Sequence, residues 1–361
     1  MKPYQAKKLP IEYKIDKELL KLLSEANEKY GKYQALLKMF KFDPKFFLNS
    51  IILGESLRSS QIEGTQISQD DLYYLDYKEE NNDTIEVKNL KNMIQKFSEE
   101  IKKGNQINIQ LVNKMHLELL KTGRGSNKNP GKIRIKQNYI GPRGCSIEEA
   151  TFIPPIPEEV PILLDNLFEY MKDQYTDPIL INLAISHMQF ETIHPYSDGN
   201  GRMGRALIPL QLSILKEEEP ILYLSEIIEI YKPTYYRMLN EARQGNIEGF
   251  IKFFLQCIIE QCTAYIYKIE KINKIYDEDM REIENKIKGR SIYKIMPILI
   301  KDIVVTSKSV EEQTKLHKNT IDKTLQKLVE LEILKKEKKK DTNRITYRYD
   351  RIYNVFIRNQ N

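Results

Sequence analysis

The 361-residue chain is expected to be mainly α, with small β elements in two places. Apolar residues recur at three- and four-residue spacing through most of its length, the mark of amphipathic and buried helices. Runs that alternate as strands are confined to residues 123–157 and 333–349. Turn residues fall at the breaks between helical stretches, as at Gly64, Asn81-Asn82-Asp83 and Gly245-Asn246. The length suffices for two or three domains with proper cores.

Residues before about Phe42 are polar and helical in tendency, with Ile15, Leu19, Leu20, Leu22 and Leu23 as a packing stripe. A second helix is expected from about Pro44 to Glu63, carrying Phe46, Phe47, Ile51, Ile52 and Leu57, with Gly64 as its C′ residue. Glu63 is the oddity, a carboxylate at the negative end of the helix dipole. Ser68 is a candidate N-cap for a short helix to about Leu75, with Asp70 and Asp71 in its first turn. Ile85 to Lys102 and Ile109 to Leu120 read as the next two helices. His116 lies on the apolar face of the second with Val112, Met115 and Leu119, where a core role suits it better than a ligand's.

Between Gly123 and Pro157 the helical period breaks. Ile133-Arg134-Ile135 and Asn138-Tyr139-Ile140 alternate weakly, and Thr151-Phe152-Ile153 precedes Pro154-Pro155, which reads as a short hairpin or flap. Helices return from Pro178 to Ile193, from Met203 to Leu215, and from Tyr231 to Ile258 with a break near Gly245. Tyr265 to Lys288 alternates charge with isoleucines, as a connecting helix would. Helices at 292–299, 310–316 and 320–331 then precede two strands, Ile333-Leu334-Lys335 and Ile345 to Tyr349, around a lysine-rich turn. The implied organisation is an N-terminal helical region (1–108), a core (109–262), a connecting helix (263–290) and a separate module (291–361).

Composition narrows the class further. No apolar run approaches the ~18 residues of a membrane span, and the N-terminal residues have no apolar stretch of the kind a signal peptide carries. Cys145, Cys257 and Cys262 form neither a C-x-x-C pair nor a disulfide framework, so reduced thiols and a cytoplasmic setting are expected. The net charge of +6 is unevenly placed: residues 291–361 hold sixteen Lys/Arg against nine Asp/Glu, leaving the remainder near neutral.

The chemistry gathers in Ile193 to Arg205, which packs a histidine, a carboxylate, three glycines and two arginines between two helices. Pro195 ends the first helix at or just before His194. Gly199 and Gly201 permit left-handed backbone, turning successive N–H groups inward as an anion nest, and the following helix start adds its positive end. Arg202 and Arg205, three apart, can fork onto phosphate oxygens. Asp198 would repel a phosphate chain unless a divalent cation lay between them, which makes it a magnesium ligand. His194 is the natural base for deprotonating an attacking hydroxyl near neutral pH.

His194-Pro195-Tyr196-Ser197-Asp198-Gly199-Asn200-Gly201-Arg202-Met203-Gly204-Arg205 resembles the signature of the Fic family, with tyrosine where phenylalanine is commoner. The resemblance implies an all-helical core that transfers a nucleoside monophosphate, usually AMP from ATP with Mg²⁺, to a Ser, Thr or Tyr hydroxyl of a protein. It implies His194 as the base, Asp198 on the metal, and Gly199, Asn200, Gly201, Arg202, Met203, Gly204 and Arg205 around the nucleotide. Ser59-Ser60-Gln61-Ile62-Glu63-Gly64 is similar to the family's inhibitory motif. There the glutamate pairs with the second signature arginine, here Arg205, and Ser59 hydrogen-bonds within the same region.

The resemblance further implies that residues 123–157 form a flap whose edge registers the target's side chain by strand addition, with self-modification among the outcomes. It places adenine near Tyr235 and Tyr236, with Asn240 and Arg243 on the same helix, although tyrosines at this spacing are more often core. Relatives often form homodimers. The last segment resembles a winged helix-turn-helix, a common attachment of this class, though its turn lacks the usual glycine. As a DNA reader it would present Thr320, Asp322, Lys323 and Gln326 to the groove and Lys338 to Lys340 to phosphate; protein docking is the other use of such a module. Two alternatives stay open: a DNA-binding regulator with a nucleotide-sensing core, and an enzyme transferring UMP, phosphocholine or phosphate.

Overall fold

The computed structural model describes residues 2–68, 72–74, 80–142, 144–287, 289–338 and 344–357. It divides into two compact units. One comprises Met1–Gly31, Glu55–Ile67 and Glu79–Cys262, the other Lys32–Gly54, Ser68–Lys78 and Thr263–Asn361. Three of the divisions fall within helices α1 (Lys17–Lys38), α2 (Pro44–Ile62) and α10 (Ile247–Lys286).

The first unit is helical and is built around α6 (Ile179–Ile193). Every residue of α6 from Leu180 onward is buried, so its polar members need partners inside the protein. Asn182 donates to the carbonyls of Tyr170 and Asp173, and Gln211 donates to Asn182 and Ser186. His187 bridges the Gly204 carbonyl and the Tyr235 hydroxyl. Around it lie α3 (Asn82–Lys102), α4 (Ile109–Leu119), α5 (Val160–Lys172), α7 (Asn200–Lys216), α8 (Ser225–Ile230) and α9 (Lys232–Arg243).

Several elements differ from expectation for local reasons. α3 starts at Asn82 because Asn81 forms a capping box with Thr84, so the expected turn is the helix's own cap. Ile15, ahead of α1, and Leu20 on it are exposed, and the buried stripe of α1 is Leu19, Ala26, Tyr30, Tyr33 and Leu37. α7 starts three residues before the expected Met203. α10 runs unbroken for 40 residues, taking in the expected connecting helix. The hairpin between 123 and 157 reduces, among the described residues, to one antiparallel bridge, Ile140 with Phe152. Residues 133–135 form no strand because Arg134 turns inward to main-chain carbonyls, and Pro154 and Pro155 have no N–H to give a ladder.

The second unit has its own core. Its later elements run α11 (Ile292–Asp302), β1 (Val304–Val305), α12 (Ser307–Thr314), α13 (Lys318–Glu330), β2 (Lys335–Lys338), β3 (Ile345–Arg348) and α14 (Asp350–Ile357). The sheet order is β1-β3-β2, all antiparallel, with Val304 opposite Arg348 and Lys336 opposite Tyr347. On α13, Ile321, Leu325 and Leu328 are fully buried at helical spacing while Thr320, Lys323, Gln326 and Lys327 are exposed. β1 and α14 were not anticipated. The short helix expected from Ser68 to Leu75, and Lys339 and Lys340 of the basic turn, fall largely or wholly outside the described residues.

Candidate active site

α6 stops at Ile193 because His194 takes the left-handed conformation, φ 49° and ψ 61°, immediately before Pro195. A non-glycine residue there is strained unless its surroundings hold it. Arg134, 4% exposed, supplies much of that hold. Its Nε donates to the His194 carbonyl at 2.9 Å and its Nη2 to the carbonyls of Ile193 and Pro155. Asn138 donates to the carbonyls of His194 and Tyr196. Asn200 closes the loop from the other side, accepting from the Tyr196 N–H and donating to its carbonyl, both at 2.8 Å.

His116 lies beneath this loop, fully buried and stacked on the Tyr196 ring at 3.8 Å. The Gly131 N–H donates to its Nδ1, so its proton sits on Nε2 and is donated to the Asp198 carbonyl at 2.9 Å. Burial pushes His116 down to about 4, which keeps it neutral. The core reading of this histidine therefore holds, and its work is to fix the loop.

The His194 imidazole is half-buried and its Nδ1 has no hydrogen-bond partner. Burial, with the nearby Arg243 and Arg134 cations, pushes it down to about 3 against the opposing pull of Glu63. It is thus an unprotonated acceptor at neutral pH.

α7 opens at Gly199, left-handed at φ 78°, and no side chain caps its N-terminus. Its first-turn N–H groups have no side-chain cap, and its positive dipole end follows directly on the loop that starts at His194. Gly201, expected to be left-handed too, is helical; its missing side chain serves a close approach instead. A Cβ there would run into Glu63 Oε1 and Arg205 Nη1. Arg202 is 5% exposed, and its Nε and Nη1 have no hydrogen-bond partner. Its nearest anions are Asp198 Oδ1 at 3.6 Å and Glu86 Oε2 at 3.7 Å. Buried guanidinium donors without acceptors are costly, and they are what a phosphate would satisfy. Asp198 is 40% exposed, with Oδ1 accepting from the Gly199 N–H. Among the described residues no group of three or more His, Cys, Asp or Glu side chains could hold a metal.

Arg205 is 1% exposed and committed to α2. Its Nε donates to Ser59 Oγ at 2.9 Å, and its Nη2 to the Ser59 carbonyl and to Glu63 Oε1 at 2.7 Å. Burial would raise the Glu63 carboxyl, but Arg205, Arg202 and His194 outweigh it and hold it below the usual range. The ion pair explains how a carboxylate tolerates a helix C-terminus. Glu55, two turns earlier on the same face, is buried and accepts from both N–H and Oγ of Ser225; burial pushes it up to about 7. Glu191 on α6 is also pushed up to about 7 by burial, and its Oε1 has no partner.

Of the two tyrosines, Tyr235 is fully buried with its hydroxyl on His187, whereas Tyr236 is 38% exposed. Arg243 bonds Asn240 and the end of α6, with its guanidinium 3.8 Å over the Phe152 ring. Sequence reasoning missed Arg134, Asn138 and Glu86. None belongs to a recognisable spacing, and each acts through main-chain or long-range contacts that no local pattern reports.

Comparison with known proteins gives the family and the fold. The model for the Fic/DOC family matches residues 106–212 and that for the Fic/DOC family N-terminal region matches residues 20–96, so the chain belongs to the Fic/DOC family. Protein adenylyltransferase fic-1 of Caenorhabditis briggsae is 31% identical over 155 residues, 42% of this chain and 27% of that one. Protein adenylyltransferase Fic of Nematostella vectensis is 26% identical over 170 residues, 46% of this chain and 36% of that one. The chain thus spans about a third or less of these relatives. Two solved structures share the fold. A Fic family protein from Desulfovibrio desulfuricans G20 gives a TM-score of 0.58 at 20% identity, covering 93% of this chain and 97% of that one. Fic-1 from C. elegans gives 0.52 at 18%, covering 70% and 73%.

Proposed function

We propose that this chain is a protein adenylyltransferase held in check by Glu63. The observation that carries the reading is Arg202, buried with Nε and Nη1 unpartnered at the uncapped start of α7, beside a neutral His194. In this reading the target's hydroxyl gives its proton to His194. The oxygen bonds to the α-phosphorus of ATP as the bond to the β-phosphate breaks, and pyrophosphate leaves against Arg202 and Arg205. A single half-exposed carboxylate suits Mg²⁺, which keeps waters and takes phosphate oxygens. Asp198 would hold it, and it would neutralise phosphate charge.

Glu63 occupies the mouth of the cradle above Gly201 and holds Arg205, so the resting chain cannot offer that arginine to the nucleotide. The bridged segment at Ile140 and Phe152 is where an extended target would dock, the chain's own hydroxyls included. Tyr236 is the better placed of the two tyrosines for adenine. Three free cysteines suit a reducing cytoplasm, and no helix among the described residues is long and apolar enough to cross a membrane. Glu63→Gly should raise incorporation of labelled AMP, and His194→Ala should abolish it. No gain from Glu63→Gly would remove the inhibitory reading.

The order α11-β1-α12-α13-β2-β3 supports a winged helix in the second unit, with α13 presenting Lys323, Gln326 and Lys327. DNA is the partner we assign to it. Half-exposed Asp322 and exposed Glu330 on the same helix keep that binding weak, and its lysines make it salt-sensitive. Gel-shift titration of duplex DNA should show affinity falling steeply with salt; no shift at low salt leaves protein docking as its use.

A further inference from the structure

Both cradle arginines are tied to one helix end. α2 closes in a Schellman motif: the Thr65 N–H donates to the Ser60 carbonyl at 3.1 Å and the Gly64 N–H to the Gln61 carbonyl at 3.0 Å, with Gly64 at φ 98°. Glu63 and Thr65 therefore sit on one closed turn and move together. Glu63 takes Arg205. Thr65, 3% exposed, donates its Oγ1 to Glu86 Oε2 at 2.7 Å. That same oxygen faces Arg202 Nη1 at 3.7 Å, just beyond hydrogen-bond reach, while Arg124 Nε holds the other.

We propose that Thr65 is a second restraint on the reaction, acting through Glu86 to keep Arg202 out of register for the leaving phosphates. The proposal rests on the inhibitory reading of Glu63. A carboxylate oxygen accepting at 2.7 Å from Thr65 is drawn to that side, and Nη1 of Arg202 is left in a 3.7 Å ion pair with it and without a hydrogen bond. When the end of α2 lifts, Oε2 is freed to close on Nη1 in a charge-assisted bond that fixes the guanidinium with its Nε still open for pyrophosphate. Lifting Glu63 off Arg205 and Thr65 off Glu86 is one motion, so the two arginines are released together. Thr65 and Glu86 are positioning residues, since neither touches the reacting atoms.

The test measures kcat for AMP incorporation and KM for ATP in the full chain. Thr65→Val should raise kcat roughly three- to tenfold, the net worth of one typical intramolecular hydrogen bond, with KM within about twofold. Thr65→Ser, which keeps the hydroxyl, should behave as the parent, and Glu86→Gln should erase the gain in the double variant. Amide exchange at residues 60–65 without nucleotide should quicken in Thr65→Val. If valine is not accommodated, Thr65→Ala gives the same readout. A parental kcat in the folded variant, or a gain that survives Glu86→Gln, overturns the proposal. Glu63→Gly run alongside separates the two ideas. If it gains nothing, both readings fall. If it gains and Thr65→Val does not, only the second restraint falls.

Discussion

Gly201 and Gly204 look alike in the sequence and are both helical, so neither is there for a left-handed turn. Gly201 admits the Glu63 and Arg205 side chains; Gly204 admits the Glu191 carboxyl, which a Cβ would strike. The residue types of the signature were legible because phosphate chemistry restricts them. The partners of Arg205 were implied by the resemblance, but those of Arg202 and His194 were not legible, because Glu86 and Arg134 lie 116 and 60 positions away and carry no local signal. Only Gly199 behaves as the glycine pattern suggests. Burial and two nearby arginines keep His194 unprotonated far below 6.5, so a proton need not be lost before it can accept one. AMP incorporation by Glu63→Gly should therefore stay level between pH 8 and 6. A fall to half near pH 6.5 would mean an ordinary, solvated imidazole.

Helix ends carry most of the functional information at the next scale. α2 ends in the turn that places Glu63 and Thr65, α6 ends in the strained His194, and α7 begins uncapped. The periodic interiors of these helices were legible, and so were the stops at Pro195 and Gly64, because backbone sterics alone decide them. The start of α7 was read three residues late because a helix N-terminus with no side-chain cap gives no signal in a sequence. The flap was over-read for a different reason. Alternating residues around Arg134 mimic a strand, yet its guanidinium is used on main-chain carbonyls. α3 carries Glu86 in its second turn and depends on the Asn81–Thr84 box, with bonds of 2.9 and 2.8 Å. Asn81→Ala should lower stability by about 1 kcal/mol, read as a lower urea midpoint. An unchanged midpoint would show that packing alone sets that helix start.

Across the whole molecule, buried titratable groups set an unusual acid response. His116, His187 and His194 are pushed down to about 4, about 3 and about 3, chiefly by burial, so the unfolded chain binds protons that the folded chain refuses. Their contribution is complete above pH 6.5 and is lost as pH falls below it. Glu55 and Glu191, pushed up to about 7, act oppositely: the folded chain holds protons that the unfolded chain has shed, so stability rises as pH falls from 7 toward 4.5. Between pH 6.5 and 4.5 the two carboxyls offset two of the three histidines. Below 4.5 only the histidines titrate, joined by carboxylates held low, such as Glu63. The melting temperature should fall gently from pH 6.5 to 4.5 and drop steeply below that. A fall as steep above pH 4.5 as below it would show that the two carboxyls are ionised in the fold. The mainly helical class and the order of the second unit's helices were legible from periodicity. β1 and α14 were not, since two residues make too short a strand to alternate and α14 follows β3 without a turn signal.

Auto-inhibited AMP transfer is read most directly by mass spectrometry of Glu63→Gly after incubation with ATP and Mg²⁺, beside the parent chain and the Glu63→Gly/His194→Ala double variant. AMP should be attached through a phosphodiester to a hydroxyl side chain in Glu63→Gly, with little in the parent and none in the double variant. Equal labelling of all three, or transfer of a different group from ATP, would contradict it.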